Sequence, residues 1–190
     1  MNFSNSKTLS LCVALATSLF VFSAPSHAAS NQRLAKLEAA DQADRDPGLA
    51  KIDWNIVSKR DASRRQEVLQ VLASGQIKTA DDYLDAAIIF QHGDTVQDIQ
   101  MAYSFASIAC QLNPTSRNAM QLKADAWDRI MIKSGKPQWY GTQFERSKTT
   151  GKLVMFPTDP DAVSDLTRKA MGLPTLAETQ AMIAKANMGK

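Results

Sequence analysis

Residues 79–114 read TADDYLDAAIIFQHGDTVQDIQMAYSFASIACQLNP, and their pattern decides the fold class. Thr79 followed three residues later by Asp82 is a capping signal, in which hydroxyl and carboxylate satisfy exposed backbone N–H groups at a helix start. Tyr83, Leu84, Ala87, Ile88 and Phe90 then recur at helical spacing. The run Gln91, His92, Gly93, Asp94 stops that helix, and Thr95 with Asp98 repeats the cap. Ile99, Ala102, Tyr103, Phe105, Ala106 and Ala109 carry a second apolar stripe to Leu112. Two antiparallel helices are expected, with small alanines at 87, 102, 106 and 109 where they face each other. Asn113 and Pro114 signal a third helix to about Lys133, since proline is tolerated where the first N–H has no partner. Its inward residues are Ala119, Leu122, Ala126, Trp127, Ile130 and Met131.

Upstream, Ser30 to Arg45 reads as a short helix held by Leu34 and Leu37 and ended by Asp46, Pro47 and Gly48. Ile52, Trp54, Ile56 and Val57 lead into a helix from about Ser58 to Ala73. Its expected inward stripe is Val68, Leu69, Val71 and Leu72, with Arg64, Arg65 and Glu67 outward and Gly75 closing it. Downstream of Gly135, Tyr140, Thr142 and Phe144 and then Leu153 to Phe156 flank the polar stretch Ser147–Gly151, which predicts a small β-hairpin near 138–157. Two strands alone are marginal, so the hairpin must pack on helices. Asp159 and Pro160 are expected to start a helix to about Met171, stopped by Gly172, and Thr175 with Glu178 caps a last one to about Ala186. The fold class is therefore mainly α, built of helical hairpins with one small β-hairpin.

The chain has 190 residues, 22 Lys plus Arg, 19 Asp plus Glu, two Cys and two His. Residues 1–28 carry Lys7, an apolar run from Leu9 to Phe22, and the segment Ala24 to Ala28, the layout of a secretory signal peptide. Its removal leaves an N-terminal helix and linker over 29–50, a single domain over 51–190, and 21 basic against 19 acidic residues. One thiol, Cys110, and one imidazole, His92, then remain. That count excludes an internal disulfide and disfavours a usual zinc site. A charge near +2 without a basic run gives no footprint for nucleic acid, and no segment is long enough to span a bilayer. No Gly-rich phosphate loop, HExxH or nucleophile elbow is present, and no cofactor is expected.

Two resemblances add to this reading. The pair from Thr79 to Leu112 with its Asn113, Pro114 exit is similar to one tetratricopeptide-type hairpin, although Gly93 to Pro114 spans 21 residues, about one turn more than that repeat uses. Three strings, DAAIIFQHG (85–93), ADAWDRIMIKSG (124–135) and KPQWYGTQF (136–144), resemble a bacterial family known as a domain of unknown function, over about residues 80–175 and including Leu173–Leu176. Trp127 stands where that family pattern leads one to expect an acidic residue. The resemblance supplies no activity.

Six residues are candidates for a site. His92 ends a helix, where an imidazole either titrates near neutrality in a site or caps the last carbonyls. Asp128 and Arg129 follow Asp125 on one helix, where Asp125 reaches Arg129 at four residues; Arg129 alternatively holds the Gln138 or Tyr140 segment, or clamps an anion. Gln138, Tyr140 and Gln143 lie in the densest polar and aromatic stretch, suited to a ligand platform or to satisfying a buried loop. The expected function is an exported, periplasmic or secreted binding module, with another envelope protein or a small polar ligand as partner. The alternative is a small envelope hydrolase around His92, Arg129 and residues 136–144.

Overall fold

Both capping signals start helices. In the computed structural model, which describes residues 29–46 and 51–188, the Thr79 hydroxyl accepts the Asp82 N–H at 3.1 Å and the Asp82 carboxylate takes the Thr79 N–H at 2.9 Å. Thr95 and Asp98 repeat this at 3.0 and 3.2 Å. The elements are α1 (Gln32–Ala43), α2 (Trp54–Ala73), α3 (Ala80–Gln91), α4 (Val96–Leu112), α5 (Arg117–Lys133), β1 (Phe144–Arg146), β2 (Leu153–Met155), α6 (Asp165–Ala170) and α7 (Leu176–Met188). The protein is mainly helical with one antiparallel two-stranded sheet, as expected. The expected signal peptide and the Pro47, Gly48 helix stop lie outside the described residues.

α3 packs along α4, and α4 along α5, so the central body is two successive helical hairpins. Ala86, Ala87, Ala102 and Ala106 are wholly buried between them, with Ile89, Ile99, Phe90 and Phe105 filling the core and Leu34 and Val68 closing it from α1 and α2. Phe90 meets Phe105 edge-on at 5.5 Å between centroids. At the α3–α4 turn a Cβ on Gly93 would lie 2.1 Å from the Asp98 Cβ. The second capping box therefore requires a residue without a side chain there.

The sequence reading of α2 needs correction. Asp53 accepts the Asn55 N–H at 3.0 Å, so the helix begins at Trp54. Its inward stripe is Val57, Asp61, Arg64, Val68 and Val71, whereas Leu69 and Leu72 are 37% and 36% exposed. Arg64 points inward because α1 offers it carboxylates. Its guanidinium bonds Asp44 and Asp61, the latter at 2.8 Å, and the Ala40 carbonyl at 3.2 Å. Arg45 joins fully buried Asp41, at 3.1 Å, to Asp61, at 2.7 Å. Two charged positions complete the spacing of four and three that apolar periodicity alone leaves broken.

Other boundaries move for similar reasons. The Asn113 side chain accepts the Thr115 N–H at 3.2 Å, which holds Pro114 in a turn, and Ser116 caps α5. Asp159 gives its N–H to the Gln138 carbonyl at 2.9 Å, so α6 starts only after Ser164. The hairpin is shorter than expected, with Phe144 opposite Met155, Glu145 opposite Val154 and Arg146 opposite Leu153. Tyr140 and Thr142 stay outside the strand because α5 takes their N–H groups. Trp127 is half-buried, its ring 5.4 Å from Tyr103 and 4.8 Å from Trp139. No helix among the described residues is long and apolar enough to cross a membrane.

Candidate functional site

Asp128 organises the loop that follows α5. Its carboxylate is fully buried and accepts the N–H groups of Trp139 at 2.7 Å, Tyr140 at 2.9 Å and Thr142 at 3.0 Å, together with the Thr142 hydroxyl at 2.9 Å. Gln138 is equally buried. Its amide nitrogen donates to the Gln143 and Phe156 carbonyls at 3.1 and 3.0 Å, and its amide oxygen accepts the Gln143 N–H at 2.9 Å. From the far side Arg168 on α6, 1% exposed, donates to the Trp139 carbonyl at 2.7 Å, the Tyr140 carbonyl at 3.3 Å and the Val163 carbonyl. The loop's donors thus face Asp128 and its acceptors face Arg168, which answers the hydrogen-bond requirement of a buried irregular segment. Gly141 turns the chain at φ +76°, with Leu176 so close that a Cβ would fall 2.7 Å from its Cδ2.

His92 and Arg129 belong to a different neighbourhood. The Arg129 guanidinium donates to the Gln91 carbonyl at 2.6 Å and the Gly93 carbonyl at 3.3 Å, and Lys133 reaches the Asp94 carbonyl at 2.7 Å. These cations on α5 satisfy the open carbonyl end of α3, the task expected of His92. The imidazole turns instead toward α1, placing its Nδ1 2.8 Å from the Asp41 Oδ2. Among the described residues Asp125 forms no ion pair with Arg129, and it is Asp128 that holds the Tyr140 segment.

A cavity of about 320 Å³ lies beyond the loop, walled by α5, the loop itself, the β-hairpin and α7. Phe144, Leu153, Met182 and Ile183 supply its apolar wall. Asp125, Tyr140, Thr142 and Thr179 supply its polar groups. Burial pushes the Asp125 carboxyl up to about 6; the nearby Asp128 charge adds to this, while Thr142 and Arg129 oppose it. Burial likewise raises the Tyr140 phenol, and the Tyr103 and Asp128 neighbours add to it. Thr179 is 3% exposed, and its hydroxyl has no hydrogen-bond partner among the described residues.

Of the six predicted residues, Tyr140 lines this cavity, Asp128, Gln138 and Gln143 build the loop that walls it, Arg129 secures the end of α3, and His92 faces Asp41 on α1. Asp125 is a cavity residue that sequence reading takes for an ion-pair partner. Its spacing of three from Asp128 is the available signal, since both then share one helix face. Arg168 and Thr179 carry no sequence signal of their own. Among the described residues no group of three or more His, Cys, Asp and Glu is arranged to hold a metal. Comparison of the chain with family models, curated proteins and solved structures finds no match, so its geometry is what speaks to function.

Proposed function

We propose that this is an exported binding module whose working site is the cavity between α5, the 138–144 loop, the hairpin and α7. The observation that carries the reading is a mostly apolar cavity with a few convergent polar groups, held by a loop that three buried side chains lock in place. Small-molecule sites have this composition, and a rigid supporting shell is what a binding constellation needs. The apolar run ahead of Ala28 supports export. A small molecule fits the cavity better than a protein segment does, because about 320 Å³ sits at the lower end of the ~300–1,000 Å³ range of such sites. A hydrolytic cleft around His92 has less support, since the imidazole faces Asp41 on α1 and does not line the cavity.

A fragment screen followed by amide chemical shifts tests this. Binders should shift Thr142, Thr179 and Ile183, and Ala186→Trp, an exposed change at the cavity edge, should abolish those shifts while the fold stays intact. Binders that all map elsewhere, or that ignore Ala186→Trp, would sink the reading.

A further inference from the structure

The binding reading leaves open what the cavity takes, and the inference that follows rests on that reading. Asp125 carries the one formal charge among the residues lining this cavity. Its surroundings compensate it only in part, since burial and the Asp128 charge outweigh what Thr142 and the Arg129 charge contribute. Arg129, four residues on, directs its guanidinium to the Gln91 and Gly93 carbonyls, and Asp125 has no ion-pair partner among the described residues. The Thr142 hydroxyl gives its hydrogen to Asp128 at 2.9 Å and accepts from the Gln143 amide at 3.1 Å. A half-buried carboxylate without a cation is costly, and an arriving positive charge relieves that cost. An anionic ligand meets repulsion from the same group. Beyond the carboxylate, Phe144, Leu153, Met182 and Ile183 offer a hydrocarbon surface, and the unpartnered Thr179 hydroxyl offers one further polar contact.

We propose that the cavity binds a small hydrophobic molecule bearing a protonated amine, with the ammonium on Asp125 and the apolar body against Phe144, Met182 and Ile183. The raised Asp125 carboxyl, about 6, agrees with a charge awaiting a partner and makes binding depend on pH. The groups that bear on its titration are Asp128 and Arg129 from its own helix and the Thr142 hydroxyl from the loop. The residues that line the cavity from α7 and β2 bring no charge.

Calorimetric titration of the purified protein with hexylamine, hexanol and hexanoate separates the possibilities. Hexylammonium should bind at least tenfold more tightly than hexanol, with hexanoate weakest. Between pH 7.5 and pH 5 the amine's affinity should fall about tenfold as Asp125 takes up its proton, while hexanol changes little. Asp125→Asn should erase the amine's advantage and its pH dependence while keeping hexanol affinity. If that variant proves unstable, the pH arm on the native protein decides alone. Equal binding of amine and alcohol, or an amine affinity flat across that range, overturns the amine inference and leaves the cavity a binding site. Absence of binding by all three probes overturns both.

Discussion

Asp128 shows how one residue type can be required without taking part in any reaction. Every group it meets is a donor: three backbone N–H groups and the Thr142 hydroxyl, whose hydrogen points at the carboxylate. A carboxylate accepts at both oxygens, whereas an amide must turn an NH₂ toward the Thr142 N–H or toward those of Trp139 and Tyr140. Asp128→Asn should therefore cost about 2 kcal/mol, close to Asp128→Ala, because a buried unsatisfied donor costs ~1–3 kcal/mol. Urea unfolding of the two variants beside the native protein measures this. An Asn variant as stable as the native chain would show that the loop does not depend on a double acceptor. The neighbouring Arg129, adjacent in sequence, faces another helix altogether, which is what a step of one residue around a helix produces.

Elements in this protein are joined as much by polar side chains at their ends as by apolar stripes along their length. Arg129 and Lys133 close the carbonyl end of α3 from α5, and Arg168 on α6 closes the loop carbonyls. Hydrogen bonds from a charged donor contribute ~1.5–3 kcal/mol each. Removing both bonds of Arg129 in Arg129→Ala should lower stability by about 3 kcal/mol or more and speed amide hydrogen exchange at the α3–α4 turn more than at the hairpin. Uniform acceleration across the chain would instead mean that Arg129 acts through global stability alone. On the opposite flank, Asp41, Asp44, Asp61, Arg45 and Arg64 make the α1–α2 seam ionic. Such a seam fixes register while costing desolvation.

For the whole molecule, opposing carboxylate shifts shape stability against pH. Burial pushes Asp85 up to about 7, with Glu38, Asp81 and Asp82 adding to it, and raises Asp125 to about 6. These groups hold a proton more tightly folded than unfolded, where Asp titrates near ~3.9. Their contribution is fully present below about pH 4 and is lost progressively as pH rises from there through 6 to 7. Asp44 behaves oppositely, because the Arg64 guanidinium holds its carboxyl below the usual range. Asp82, which burial alone would raise, is also held low by N–H groups of Asn31, Lys78 and Thr79. Their contribution disappears as pH falls below about 4. Thermal stability should thus peak near pH 4 and decline until about pH 7, and Asp85→Asn should flatten that decline. A melting temperature that climbs from about pH 4 to about pH 7 would contradict this balance.

Much of the architecture follows from short-range rules that the chain states openly. The capping pairs Thr79–Asp82 and Thr95–Asp98, the stops at Gly93 and Gly135, and apolar periodicity through residues 83–109 define the helices locally, because capping and amphipathicity act within a few residues. The stretch 136–144 also announced itself as a place where polar and aromatic residues gather for a structural purpose or a ligand. What the chain could not disclose is where its charges point. Arg64 reads as a surface residue until α1 and its C-cap supply two aspartates to join Asp61 on its own helix, and Asp125 reads as a partner for Arg129 until the carbonyls at the end of α3 claim that guanidinium. The cavity joins residues 125, 140, 142, 153 and 179 from four separate segments. Hydrogen-bond and charge partners far apart in sequence are settled by which ends of the helices meet, and that is decided only when the whole chain packs.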